Sequence, residues 1–386
     1  MKAMTSRIVK KLVITNILVL TCILFGCATH PSLPIRDQID TKSRGYIKTR
    51  DRFSRRELAV KVWPLIDIAA VGDIMLGSWL TDVLNARGHS YPFDSTRSFL
   101  NCDFAIANLE APFTDAGTKF KKKYSFKVPG TFADGIQSAG FDIVTLANNH
   151  TLDYGCEGLL NTMTTLDSLE IAYCGAGKDL NEACSPTIIE HFGTRVAFVG
   201  FSMTFPEEFW ASDTSCGTCY PEGNSLAQII RDCENLADIT VASFHWGAER
   251  FRYPKDYQVA YAHIAIDNGA DLVLGHHPHV LQGLEIYKNR LIAYSLGNFV
   301  FGSYGNYVQN SAILQVNLTP AGMLSAQIIP ILVYNAEVEF QPKILRNDQK
   351  MQVIRELNEL SQGLNNGKTI IDDDGSICKE TINRQL

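Results

Sequence analysis

Charge of one sign is scarce in this sequence. Its 386 residues carry 35 Lys and Arg against 41 Asp and Glu, a formal net charge of −6. It therefore lacks the basic footprint that nucleic acid demands, and no nucleic-acid partner is expected. Cysteine is sparse too: ten in this length are too dilute for a small disulfide scaffold. No internal repeat is visible. Apolar content is not low, however. With 46% hydrophobic and 20% charged residues, the chain falls outside the disordered, collagen-like and coiled-coil classes. What remains is a globular enzyme or binding protein of one large domain or two ordinary ones.

The N-terminus points to a compartment. Lys2, Arg7, Lys10 and Lys11 precede an apolar run from Leu12 to Phe25. That run is shorter than the roughly 20 residues a membrane-spanning helix needs. A basic start followed by a short apolar stretch reads as a secretory signal. It ends Leu24-Phe25-Gly26-Cys27, which resembles a bacterial lipoprotein box, so residues 1–27 are expected to be a signal peptide with Cys27 as the lipidated residue. The expected location is the cell envelope, outside the cytoplasm, on a membrane through the lipid anchor. Residues 28–64 lack periodicity and carry Lys42, Arg44, Lys48, Arg50, Arg52, Arg55, Arg56 and Lys61. They read as a basic tether, either resting on anionic head groups or simply solvated. Among the later cysteines, Cys216-Gly-Thr-Cys219 has half the spacing of a zinc ribbon but no second pair, so a local disulfide or two buried thiols is expected.

From residue 65 short apolar runs alternate with helical stretches. The runs are Ile66–Val71, Phe104–Ala107, Ile143–Ala147, Val196–Phe201, Ile239–Phe244, Leu272–Leu274 and Leu291–Ser295. Their continuity suits strands buried on both faces. Helices are predicted over Phe132–Ala139, Gly158–Leu169, Ser225–Leu236 and Tyr257–Asn268. This alternation argues for an α/β fold with much parallel pairing. Ala312–Leu318 and Leu324–Val333 read as a closing hairpin. A domain over 65–340 is then followed, over 341–386, by a C-terminal helix spanning 346–364 and a polar tail from Gly367.

Polar residues fall at the ends of those runs. Gly72-Asp73, Asn108-Leu109-Glu110, Asn148-Asn149-His150 with Asp153 beyond, His245-Trp246-Gly247, Gly275-His276-His277-Pro278-His279 and Leu296-Gly297-Asn298 each follow one. In open α/β sheets, sites form at the carboxyl ends of strands. Five of the nine histidines lie in these loops, a distribution unrelated surface histidines would not show. Each piece alone has a bland reading: Asp73 as a helix cap, Asn148-Asn149 as a left-handed turn, His245 as a satisfied buried histidine. Together they form a mixed set of imidazole, carboxylate and amide donors that suits Mn, Fe(II) or Zn. Two cations bridged by a carboxylate would clamp a phosphoryl group and activate a water.

Gly72-Asp73-Ile74-Met75-Leu76-Gly77, Asn149-His150-Thr151-Leu152-Asp153-Tyr154-Gly155, His245-Trp246-Gly247-Ala248-Glu249, Gly275-His276-His277-Pro278-His279-Val280 and Ser295-Leu296-Gly297-Asn298-Phe299, with Asn108-Leu109-Glu110 in order among them, resemble the CapA, or poly-γ-glutamate capsule synthesis, family over about residues 66–305. That family is related to calcineurin-like metallophosphoesterases. The resemblance implies a four-layer αββα sandwich of the metallophosphoesterase type. It also implies Asp73, Glu110, Asn149, His245, His277 and His279 as metal ligands, with Asn108 the less favoured stand-in for Glu110, and His150 as the adjacent catalytic histidine; without metal, the same fold could run acid–base chemistry with His150, His245 and Glu110 as its catalytic groups. Where phosphoesterases carry a histidine two residues after the first aspartate, this chain has Met75, and the second motif also departs from the usual pattern. The centre is therefore left open as dinuclear, mononuclear or metal-free.

Several functions remain open at this point. One is a membrane-anchored protein assisting synthesis, export or release of an anionic exopolymer, partnered by that polymer or its machinery. Another is a metal-dependent phosphoesterase on an extracytoplasmic phosphate ester. A third is a polymer-binding scaffold without catalysis, and a thinner fourth is proton transfer at a peptide α-carbon. Lys119, Lys121, Lys122 and Lys123 form a basic knot that reads either as a contact for acidic polymer or as a solvated loop.

Overall fold

In a computed structural model of the chain, residues 46–49, 58–61, 64–305 and 308–377 are described. The expected signal peptide and Cys27 lie outside them. The chain divides into two units, residues 1–62 and 63–386. In the first, Tyr46–Thr49 and Leu58–Lys61 pair antiparallel, within the segment read from sequence as an aperiodic tether.

The second unit is built on two sheets. In the first sheet the strand order is Lys343–Ile344, Gly322–Leu332, Asn310–Thr319, Ile66–Met75, Phe104–Leu109, Ile143–Thr145 and Ala172–Cys174, with Asn298–Phe301 also pairing to Ile66–Met75. The second runs Leu284–Tyr287, Arg290–Ala293, Leu272–His276, Ile239–His245, Thr194–Ser202 and Thr187–His191. Ile66–Met75, Phe104–Leu109 and Ile143–Thr145 run parallel, with a register shift between Ala70 and Asp73. Thr194–Ser202, Ile239–His245 and Leu272–His276 also run parallel. Their carboxyl ends therefore share one rim in each sheet.

Side-chain alternation builds the layers. Ile66, Ile68 and Ala70 face Phe198, Val241 and Leu272 in a core between the sheets. Ala69 and Val71, on the opposite face, pack with Leu84, Ile136, Leu159 and Met163 from helices Leu80–Arg87, Ala133–Ala139 and Gly155–Ser168. On the far side Val199, Ala242 and Val273 pack with Ile230 and Ala262 from helices Ser225–Leu236 and Asp256–Asp267. This is the four-layer αββα sandwich that the resemblance implies. Burial on both sheet faces explains why the strands read as near-continuous apolar runs.

Some readings need correction. The tail after Gly367 is not wholly polar in its packing: Ile370, Ile371 and Ile377 are buried in the inter-sheet core, and Ile377 N–H donates to the Ala326 carbonyl. Each such side chain contributes roughly 1.5–3 kcal/mol of apolar burial, enough to recruit a segment with few other apolar residues. The local Cys216–Cys219 expectation also fails: Cys216 bonds to Cys156 and Cys219 to Cys184, while Cys102, Cys174 and Cys233 are buried thiols. Among the described residues no helix is long and apolar enough to cross a membrane.

Candidate functional site

The rim where the strands end is tightly closed by glycine. A Cβ on Gly72 would lie 1.8 Å from the Gly297 carbonyl oxygen, and one on Gly275 would lie 1.9 Å from that of Tyr294. Only glycine lets these strand ends approach the neighbouring backbone so closely. Asp73 N–H donates to the same Gly297 carbonyl at 2.9 Å, and Asp73 sits opposite Asn298 in parallel register.

From this rim the side chains converge. Asn108 Nδ2 donates to Asp73 Oδ1 at 2.8 Å and to Glu110 Oε2 at 3.2 Å, and lies 3.4 Å from His245 Nδ1. His245 Nε2 lies 2.8 Å from Asn149 Oδ1. Asn148 is spent inside the wall: it donates to Asn108 Oδ1 and to the Leu109 carbonyl, and accepts from His150 N–H. His279 Nδ1 is 2.9 Å from Asn298 Oδ1 and 3.0 Å from Asp73 Oδ2, and its Nε2 is 3.5 Å from Glu110 Oε1. The His277 ring centroid is 4.8 Å from that of His245 and 5.9 Å from that of His279. His150 Nδ1 is 2.7 Å from Asp153 Oδ2, and its Nε2 is 4.0 Å from Glu110 Oε1. The residues expected from sequence to hold a metal or act in catalysis thus meet at one rim, although the segments are far apart along the chain.

The loop that presents the histidines is held in a costly conformation. His277 and His279 have φ of +96° and +59°, a region that costs non-glycine residues about 1–3 kcal/mol each. Pro278 between them restricts the backbone further.

Electrostatics separate the buried groups. Burial pushes the Asp73 carboxyl up, but His276 and His279 outweigh it and hold it well below the usual carboxylate range. Burial drives Glu110 well above that range, with Asp73 and Glu249 adding to the push and His279 opposing it. Burial also lowers His245 strongly and His150 less so. His277 is pushed down to about 3 by burial and the charge of His279. For His279 burial acts downward, yet Glu110 and Asp73 hold it up at about 10.

Several of these atoms have no hydrogen-bond partner among the described residues: Asp73 Oδ2, Glu110 Oε1, both ring nitrogens of His276 and Nδ1 of His277. His279 Nδ1 has one proton to give, and Asn298 competes with Asp73 Oδ2 for it. Buried polar atoms without partners are rare and call for an explanation. Two groups place their ligand atoms within 4.8 Å of one another: Glu110 with His245 and His277, and Asp73 with Glu110 and His279. Glu110 belongs to both. Carboxylate oxygens and imidazole nitrogens fit a borderline divalent ion. Met75 offers no donor here, since it packs in the helix-side core and its sulfur accepts from Gly77 N–H.

Over residues 67–303 the chain matches the model of the family described as bacterial capsule synthesis protein PGA_cap. The chain belongs to the bacterial capsule synthesis protein family. The capsule biosynthesis protein CapA of Bacillus anthracis is 31% identical over 275 residues, covering 69% of this chain and 67% of that protein. The PGA biosynthesis protein CapA of Bacillus subtilis is 29% identical over 321 residues, covering 81% and 83% respectively. A solved structure of the NAD nucleotidase of Haemophilus influenzae aligns with a TM-score of 0.42 at 14% identity, covering 83% of this chain and 59% of that one.

In this family member three residues take places that the sequence reading does not assign them. His276 ends its strand paired in register with His245, and its Nδ1 lies 3.4 Å from Asp73 Oδ1. Asn108 is the hub that ties Asp73, Glu110 and His245 together. Lys122 reaches in from a distant loop to pair with Asp153 Oδ1 at 2.5 Å. The first two were signalled by their place at strand ends. Nothing local in the sequence distinguishes Lys122 from its neighbours. Of the aromatics near these loops, Trp246 and Phe299 are core, whereas Tyr253 and Tyr304 are exposed.

Proposed function

We propose that this chain works at the cell envelope in making, exporting or releasing an anionic polymer of the poly-γ-glutamate type, through a pocket that holds a divalent metal. The convergence of buried carboxylates and imidazoles with unpartnered atoms carries the proposal. Membership of the capsule synthesis family, and relatives named for capsule and PGA biosynthesis, support the choice of polymer. The N-terminal segment would place the protein on the outer side of a membrane through Cys27.

Asp73, Glu110, Asn149, His245, His277 and His279 would hold the metal, with Glu110 shared between two ligand groups. A bound Mn, Fe or Zn ion supplies Lewis acidity and lowers the pKa of a water. The chain's own residues do the rest. Asn108 fixes the rotamers of Asp73 and Glu110 by donating to both. Asp153 accepts from His150 Nδ1 and leaves Nε2 turned toward Glu110, where it can take or return a proton. Without a metal, His245, oriented by Asn149, would be the second group placed for proton handling.

A deletion strain complemented with wild type, Asp73→Ala or His277→Ala tests the proposal. Wild type restores polymer yield and the variants do not. Full restoration by both variants would mean that the pocket is not used. A second reading, hydrolysis of an extracytoplasmic phosphate ester, is favoured by the shared carboxylate, which suits two ions clamping a phosphoryl group. Turnover of a generic phosphodiester by metal-loaded protein, lost in Asp73→Ala, would support it.

A further inference from the structure

Residues 116–133 contain Lys119, Lys121, Lys122, Lys123 and Lys127 and no acid, in a chain whose formal charge is −6. One of these lysines differs from the others. Lys122 is mostly buried: it pairs with Asp153, donates to the Asn149 carbonyl and lies 4.9 Å above the Phe209 ring. Phe126, four residues on, sets its ring 4.7 Å from that of His150. The loop is therefore latched to the pocket wall at two points beside His150.

The other four lysines are exposed. Among the described residues none of them pairs with a carboxylate. Lys123 lies over the exposed Tyr124 ring, and Lys127 lies over Tyr154 and donates to the Asp115 carbonyl. A surface without a partner usually intersperses both signs; this loop does not. A single small anion is best held by convergent donors. Flexible ammonium groups strung along a loop suit instead a ligand whose negative charges repeat, and lysine, a point charge, does not demand one carboxylate orientation.

We propose that the segment from Lys119 to Lys127 is a docking strip for a polycarboxylate chain, holding it beside the mouth of the pocket while Lys122 keeps the strip in place. This rests on the proposed function for the nature of the polymer. The test measures binding of purified poly-γ-glutamate to the full chain in detergent, for wild type, a Lys119→Gln/Lys121→Gln/Lys123→Gln triple variant and the matching triple Arg variant. Wild type binds at low salt and weakens about tenfold or more between 50 and 300 mM salt, as expected for exposed charges. The Gln variant weakens binding at low salt by at least about tenfold, whereas the Arg variant keeps wild-type affinity. Metal content is the same in all three. Binding by the Gln variant within about twofold of wild type, or no binding by wild type at low salt, overturns the strip. Polymer yield in the deletion strain is read separately. An unchanged yield on deletion defeats the proposed function, whereas restored yield together with unaltered binding by the Gln variant defeats only the docking strip.

Discussion

Asp153 Oδ2 stands 2.7 Å from His150 Nδ1. That contact fixes which ring nitrogen carries the proton and which faces Glu110, and the other carboxylate oxygen is held by Lys122. Under the proposed function, Asp153 acts through His150 as a positioning residue. Asp153→Asn is expected to leave metal content intact and to lower pocket-dependent turnover about 10–100-fold, the usual effect of losing an outer partner. Its pH profile should shift, because the imidazolium loses its counter-charge. Unchanged turnover and profile would show that His150 takes no part.

Gly72 marks a close approach of strand Ile66–Met75 to the backbone at Gly297. Gly72→Ala would drive a methyl into the Gly297 carbonyl, and neither backbone can yield without moving Asp73. Denaturant unfolding should show a loss of about 3 kcal/mol or more. Because the clash lies beside Asp73, a proposed ligand, metal content should fall with it.

Away from the pocket, Asp271 sets a pH dependence of stability. Burial raises its carboxyl to about 6, against the Thr240 N–H and Arg290, which lower it. An acid raised on folding stabilises fully below its unfolded pKa and loses that contribution as pH rises through the folded value. Between about pH 4 and pH 6 the chain should lose roughly 2–3 kcal/mol from this group. Asp271→Asn should flatten that part of the curve, as read by unfolding midpoints across the range. A variant with the wild-type slope would contradict the assignment.

The bond between Cys184 and Cys219, 35 residues apart, closes a loop beside helix Ser225–Leu236. Removing it with Cys184→Ser should cost about 4 kcal/mol on loop entropy under oxidising conditions, and the gap between wild type and variant should close when reductant opens the bond in wild type as well. An oxidising compartment, where such a bond persists, agrees with the envelope location proposed above.

Much of this site was legible because strand ends carry it. Asp73, Glu110, Asn149, His245, His277 and His279 all stand just after apolar runs, and parallel pairing forces such ends together. Register was not legible. That His276 stands beside His245, or that Asn298 stands beside Asp73, depends on which strands neighbour each other, and no local pattern encodes that. Short strands such as Thr187–His191 and Asn298–Phe301 were missed for the same reason, since their residues are few and partly polar. The latch from Lys122 to Asp153 joins a loop to a turn 31 residues later, and only the fold brings them together. The return of Ile370 and Ile371 to the core was hidden by the acidic run that follows them. Cys216 and Cys219 misled because adjacent cysteines read as one unit, although each faces a different helix.

Metal analysis of the purified full chain, alongside Asp73→Ala and His277→Ala, tests the central claim most directly. Wild type, as isolated or after loading with Mn, Fe or Zn, should hold at least about one ion per chain, and both variants should lose most of it while remaining folded. A wild-type chain that stays metal-free after loading, or variants that keep the full complement, would contradict the account.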